Sequence, residues 1–300
     1  MLELLKFAAI DIGTNAIRLL FTNIIENGDH AIFKKSSITR VPVRLGTEVF
    51  TSGKISDQKL EKLIHAMIAF KHLMNVHDVI RYRACATSAM REASNGNEVV
   101  KIIKEKSNID IEIIDGKTEA EIIYNNRIID PLQNSTPYLY VDIGGGSTEM
   151  SLFSNSEVVS STSFNIGTIR LLNDIVNPTE FENLKMWLNH IKKEYPKLKI
   201  IASGGNVNKL LKISGKKEGK PLPIKALKDV FNYIKSYSYD DRIKVLGLNP
   251  DRADVIIPAS ELLFNIISWS NAKEIIVPKI GIADGIIKQI YKEYQLEKSN

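Results

Sequence analysis

Between Ser56 and Met74 the apolar side chains Leu60, Leu63, Ile64, Met67, Ile68 and Phe70 recur close to the 3.6-residue period of a one-sided helix, and Ser56 is placed to cap its first turn. Elsewhere the apolar positions gather in short aliphatic runs bounded by Asp, Gly, Ser and Asn, the pattern of strands and turns. Two of these runs repeat. Ile10-Asp11-Ile12-Gly13-Thr14-Asn15, continuing to Arg18-Leu19-Leu20-Phe21, is echoed by Val141-Asp142-Ile143-Gly144-Gly145-Gly146-Ser147-Thr148-Glu149, continuing to Ser151-Leu152-Phe153. Each copy reads as a strand ending in Asp, a Gly turn and a second strand, a hairpin whose turn amides are expected to be free. Two halves of similar design follow.

The remaining pattern fills in both halves. A strand over 79–86 leads into Thr87–Asn95, predicted to start a helix; a strand over 109–114 meets Asp115-Gly116, and a helix is predicted over 118–128. In the second half, strands around Val141 and Ser160 precede a helix over 180–194, a strand over 198–202, and Ser203-Gly204-Gly205-Asn206 opening another helix. The lysine-rich stretch 209–220 is predicted to be an exposed connection. Strands alternating with helices give an α/β class, and 300 residues suit about two domains. We place them at 1–125 and 126–283, with a helix over about 284–300 returning to the first.

Composition narrows the setting. The single cysteine, Cys85, has no intrachain partner, and the five histidines never approach it or one another at zinc-ligand spacing. The first thirteen residues lack the charged start and long apolar run of a signal peptide, and no stretch reaches the length of a membrane span. A cytoplasmic chain without membrane contact is expected. Its net charge of +5 suits an anionic partner. Base-stacking aromatics are not interleaved with the lysines, which disfavours nucleic acid.

The candidate chemistry lies in the two turns. Glycines let backbone amides approach a phosphate closely, and Gly144, Gly145, Gly146, Ser147 and Thr148 are well built for it, as are Gly13, Thr14 and Asn15. One such turn would serve a fold equally well; a second copy favours phosphate. Asp11 and Asp142, just before the turns, would repel phosphate unless a cation intervened, which suggests Mg²⁺ or another divalent ion; each would otherwise cap its own turn amides. Arg91 follows a predicted helix start and is a candidate phosphoryl clamp. Arg18 lies within a strand, where an ion pair is the competing role. Glu119 opens a predicted helix, where acidic residues usually complement the dipole, but hydrolysis of a phosphoanhydride needs a group to orient or deprotonate water. Glu119 and Glu149 are best placed. His65, His72 and His77 read as surface or packing residues, and Lys209, Lys212, Lys216, Lys217 and Lys220 as a solvated face that a long polyanion could use.

With these motifs, joined by Ala86-Thr87-Ser88-Ala89-Met90-Arg91-Glu92-Ala93, Glu119-Ala120-Glu121, Ser203-Gly204-Gly205 and Asn249-Pro250-Asp251-Arg252-Ala253-Asp254, the chain resembles the exopolyphosphatase and guanosine pentaphosphate phosphohydrolase family of the actin-like superfamily. That resemblance implies two ribonuclease-H-like domains with an active-site cleft between them, Mg²⁺ dependence, and removal of terminal phosphate by water. It assigns Glu119 as general base, Asp142 and Glu149 as metal-binding or water-orienting acids, and Arg91 as the clamp; Asp11 stays a further metal candidate on the turn's charge alone. Gly13, Thr14, Asn15, Arg18, the Gly144–Thr148 turn, Ser203, Gly204 and Gly205 would bind phosphate. The implied partner is inorganic polyphosphate or guanosine pentaphosphate, with a homodimer expected on resemblance alone. Ala16, Ala259 and the Gly281–Gly285 segment, which lacks the usual Arg, depart from the family pattern. An ATP-binding kinase-like module, for which Ser203-Gly204-Gly205-Asn206 would supply an adenosine turn, and a non-catalytic polyanion sensor are the competing functions.

Overall fold

Strand β1 (Leu4–Ile12) sets the frame, because its side chains alternate between two buried faces. The computed structural model describes residues 4–27, 30–124, 136–155, 157–278 and 280–299. They divide into two units, Met1–Asn126 with Gly281–Asn300, and Arg127–Ile280. In the first, β1 is followed by β2 (Ile17–Asn27), β3 (His30–Val41), α1 (Gly46–Ser52), α2 (Asp57–Val76), β4 (Arg81–Ala86), α3 (Ser88–Glu92), α4 (Gly96–Ser107), β5 (Ile111–Ile113) and α5 (Gly116–Tyr124). Ser56 caps α2, its hydroxyl accepting from the Lys59 amide at 3.3 Å. The part of the predicted 118–128 helix beyond Tyr124 lies outside the described residues.

The second unit runs β6 (Tyr138–Ile143), β7 (Thr148–Ser154), β8 (Glu157–Phe164), α6 (Thr168–Leu172), α7 (Pro178–Glu194), β9 (Lys199–Ser203), α8 (Gly205–Ser214), β10 (Pro221–Pro223), α9 (Ile224–Lys235), α10 (Tyr239–Lys244), α11 (Pro250–Ala253), α12 (Ile256–Ser270) and β11 (Glu274–Ile276). One expectation is corrected here. Residues 209–214 are helix, not connection: Val207, Leu210 and Leu211 bury one face of α8, and the chain leaves it only at Gly215, whose φ of 66° ends the helix in the left-handed region. The exposed link is 216–220.

Both sheets share one plan. The first has the order β3-β2-β1-β4-β5, antiparallel on the hairpin side of β1 and parallel on the other. The second has the order β10-β11-β9-β6-β7-β8, so that β8, β7, β6, β9 and β11 repeat that order and those senses, with β10 an added antiparallel edge. This is the duplicated, ribonuclease-H-like plan of the actin-like fold. Parallel neighbours need helical crossovers, which put α2 and α4 over Ala8, Ile10 and Ile12, and α7, α8, α9 and α12 over Leu139, Val141 and Ile143. In each half the Asp of the repeat therefore falls on the face opposite that core.

The last helix, α13 (Ile282–Ser299), belongs to the first unit, where it covers Leu5, Phe7, Ala9 and Cys85. Gly285 makes that packing possible, since a Cβ there would lie 2.1 Å from the Ile122 carbonyl oxygen of α5. Within the altered Gly281–Gly285 segment, Asp284 accepts from the Gly281 amide at 2.9 Å and pairs with Lys35 at 2.8 Å. Ala259 is buried within α12. No helix among the described residues is long and apolar enough to cross a membrane.

Burial beneath α13 pushes the Cys85 thiol up to about 12 from an ordinary 9.0. The sign follows from linkage: below pH 9 the thiol is neutral in both states, whereas above it only the unfolded chain ionises, so stability drains by up to about 1.4 kcal/mol per pH unit. Native protein at pH 8 should leave a thiol reagent unreacted, and denaturant should release one equivalent. Rapid native labelling would contradict this packing.

Candidate phosphate-binding site

In the second unit, Asp142 at the end of β6 stands directly opposite Glu149 on β7, and Glu149 opposite Ser163 on β8. Residues opposite one another in an antiparallel ladder project to the same face, so the three form a row across the sheet. Glu149 is only 3% exposed. Its Oε1 accepts from the Ser163 hydroxyl at 3.2 Å and also from the Ser147 hydroxyl. Such donors offset the cost of burying a carboxylate.

The intervening turn is held from behind. The carbonyls of Gly144, Gly145 and Gly146 accept from the Thr168 amide at 3.0 Å, the Ile169 amide at 2.8 Å and Arg170 Nε at 2.7 Å. In a trans peptide the N–H opposes the C=O of the same unit, so anchoring three successive carbonyls turns the amides of Gly145, Gly146 and Ser147 to the other side. The expectation that every turn amide is free is corrected at the first glycine of each turn, and here Gly144 closes the turn onto the Ser147 carbonyl at 3.0 Å. Among the described residues, the Gly145 and Gly146 amides donate to no protein group. Gly167 permits the clasp, because a Cβ there would lie 2.3 Å from the carbonyl carbon of Gly146 and 2.4 Å from that of Gly145.

The start of α8 closes on the same place. Gly204 has φ of 110°, and a Cβ on it would meet the Ile143 carbonyl oxygen at 2.8 Å and Asp142 Oδ1 at 3.2 Å. The positive end of α8, beginning at Gly205, therefore lies beside Asp142. Ser203 is fully buried and accepts from the Tyr140 hydroxyl at 2.6 Å, so its side chain fastens the end of β9.

The first unit repeats the device with other residues. Gly13 closes its turn onto the Ala16 carbonyl at 3.2 Å, while the carbonyls of Thr14 and Asn15 accept from the amides of Gly46 at 3.0 Å and Arg44 at 2.9 Å. The Thr14 hydroxyl meets that of Ser88 at 2.8 Å, tying the turn to the start of α3. Opposite Asp11 stands Arg18, its guanidinium 2.6 Å from the carboxylate. The structural role considered for Arg18 is thus realised, and the charge argument for a metal at Asp11 is met by a protein cation.

Arg91 and Glu119 follow the carboxyl ends of β4 and β5, the same end of this sheet as the Gly13 turn. Arg91 comes late in the five-residue α3 and donates from Nη1 to the Ile114 carbonyl at 2.6 Å. Glu119, 8% exposed, sits in the first turn of α5. Between them, the Thr118 amide and hydroxyl, with the nearby charge of Arg91, hold the Asp115 carboxyl below the usual carboxylate range.

The model of the Ppx/GppA phosphatase family matches residues 24–294. The chain belongs to the Ppx/GppA phosphatase family. It is 26% identical over 296 residues to the bifunctional 3-dehydroquinate synthase/phosphatase of Fusobacterium nucleatum, covering 90% of this chain and 44% of that protein. It is 32% identical over 179 residues to exopolyphosphatase 2 of Mycobacterium tuberculosis, covering 57% of this chain and 54% of the relative. These matches span about half the length of either relative. The Aquifex aeolicus Ppx/GppA family member superposes with a TM-score of 0.76 at 25% identity, over 97% of this chain and 99% of that one.

In this member of the Ppx/GppA phosphatase family the two hairpins differ in charge. The first pairs Asp11 with Arg18; the second sets Asp142 against Glu149, two acids on one face. Mg²⁺ is commonly held by one or two carboxylates, with water and substrate oxygens completing its shell, and the second hairpin offers that donor set. Among the described residues no three acidic, His or Cys side chains gather into a closed cage. The sequence alone did not single out Gly46, Ser163, Gly167 or Arg170. The two glycines and Arg170 act on backbone, which leaves no side-chain motif; Ser163 carried a faint signal as the third member of the row begun by Asp142 and Glu149.

Proposed function

We propose that this chain is an exopolyphosphatase that uses Mg²⁺, or another divalent cation, to hydrolyse the terminal phosphoanhydride bond of inorganic polyphosphate. The observation that carries this is the clasped Gly144–Ser147 turn, which aims three successive amides away from α6 and stands next to a pair of carboxylates. The family, and the exopolyphosphatase named among its relatives, support the choice of substrate.

In this reaction the amides of Gly145, Gly146 and Ser147 bind phosphate oxygens, as backbone nests do. Asp142 and Glu149 would hold the cation, which when bound offsets charge on the phosphoryl oxygens. Ser147 and Ser163 keep Glu149 oriented. Glu119 takes the proton of the attacking water, whose oxygen bonds to the terminal phosphorus as the bridging P–O bond breaks, giving orthophosphate and a chain one unit shorter. Arg91 keeps guanidinium donors beyond the one spent on Ile114 and steadies the transferred group. A cytoplasmic setting and a homodimer, both expected above, belong to the same proposal.

Purified protein supplied with Mg²⁺ should release orthophosphate from polyphosphate in preference to guanosine pentaphosphate and ATP. Release mainly from the guanosine compound would replace this substrate, and release from none of them would end the hydrolase reading. Asp142→Asn should raise the Mg²⁺ concentration needed for half-maximal activity about tenfold or more. An unchanged titration would remove Asp142 from the metal site.

A further inference from the structure

A cavity of about 650 Å³ opens along α8 in the second unit, lined by Asn208, Lys209, Lys212, Lys216, Glu218 and Arg252 among others. Four cations thus face one carboxylate. Lys209, Lys212 and Lys216 follow one another at three- and four-residue steps, which lays them in a single stripe along the helix and just past its end. Lys212 alone would be explained by the favourable field at a helix C-terminus. The cluster needs more: desolvation, then the charges of Lys212 and Arg252, depress the Lys209 amine below its ordinary range. Lys209 reaches the Leu246 and Gly247 carbonyls, each at 3.4 Å, whereas among the described residues neither Lys212 nor Lys216 takes part in an ion pair. A like-charged group kept together beside a cavity of this size is suited to an anion with several charges.

The lining also selects the kind of anion. It contains no aromatic side chain on which a base could stack. The stripe starts near the site already described, because α8 begins beside Asp142, and Lys209 follows Gly204 by five residues, about 7 Å of helix rise. Lys212 lies about another 4–5 Å along the axis, and Lys216 beyond it. A ligand bridging the turn and the stripe must be extended and charged along its length.

We propose that this cavity is a subsite for the non-reacting stretch of a linear phosphate chain whose terminal unit lies at the Gly144–Ser147 turn, so that it binds long chains and leaves the shortest untouched. The subsite deepens the function proposed above and rests on it for the position of the chain end.

The test is Lys212→Ala combined with Lys216→Ala; both side chains are exposed and neither belongs to the catalytic set. With long polyphosphate, KM should rise about tenfold or more at unchanged kcat, while KM for tripolyphosphate moves by less than about twofold. Direct binding of long polyphosphate in the presence of a chelator should weaken by a similar factor and depend less steeply on salt. Equal KM values for variant and wild type on both chain lengths would overturn the subsite, as would equal losses on both. A rise confined to guanosine pentaphosphate would also overturn it, since the cavity would then serve a nucleotide. If the wild type binds long polyphosphate without hydrolysing it and the double variant does not bind, the subsite stands and the hydrolase reading falls.

Discussion

Glu119→Gln should reduce phosphate release by about 10²–10⁴-fold, the usual contribution of a positioned proton acceptor, while leaving polyphosphate binding intact. The substitution preserves size and most of the packing of a side chain that is 8% exposed in the first turn of α5. What it removes is the carboxylate proposed above to accept the proton of water. A helix-dipole role alone would behave differently, because losing a charge there costs about 0.3–1 kcal/mol of stability and no chemistry. The measurement is kcat beside equilibrium binding of polyphosphate under chelating conditions. Wild-type turnover would leave Glu119 as a structural acid; lost binding would move it from catalysis to substrate contact.

Gly167→Ala should be the most damaging methyl group that can be added near the second turn. Its backbone is extended, with φ of −130°, so the effect does not come from the conformation of the new residue. It comes from contact: the added carbon would lie 2.3–2.4 Å from backbone atoms of Gly145 and Gly146, which have no flexible end to swing aside. Relief requires the turn to move off the α6 amides, and a displacement approaching an ångström in a positioning element can cost about 100-fold in rate. Overpacking adds about 1–3 kcal/mol of destabilisation, so the melting temperature should fall by several degrees with helix content retained. A folded Gly167→Ala protein with normal kcat and KM would show that the clasp does not set the geometry of the turn.

How much of this was legible in the sequence depended on whether a residue acts through its side chain. The hairpins announced themselves through Asp-x-Gly punctuation, and α2 through its period and its Ser56 cap. Helix α12 was missed for the opposite reason: Ile256, Leu262, Leu263, Ile266 and Ile267 bury so much of its circumference that little polar contrast remains to mark a face. Strand β3 was missed because it is an edge strand with Lys34, Lys35 and Arg40 among its exposed or half-exposed positions, which blunts a two-residue alternation. Lysine density at 209–216 masked the buried Val207, Leu210 and Leu211 spacing that gives α8 away. The site residues of the family motif were readable as candidates; the clasps at Arg44 and Gly46, and at Thr168 and Ile169, were not, because any non-proline residue can donate a backbone amide.

The unequal charges on the two hairpins give the halves of this duplicated fold different relations to the medium. Asp11 carries its counter-ion on the neighbouring strand, so the first hairpin is electrically complete as soon as it folds. Asp142 and Glu149 instead stand opposite one another in the register, two acids on one face, and an ion taken up there under the proposed chemistry stabilises the second unit by mass action, about 2.7 kcal/mol at a hundred times its dissociation constant. Duplication would then have produced one half whose stability is indifferent to divalent ions and another whose stability rises with their supply.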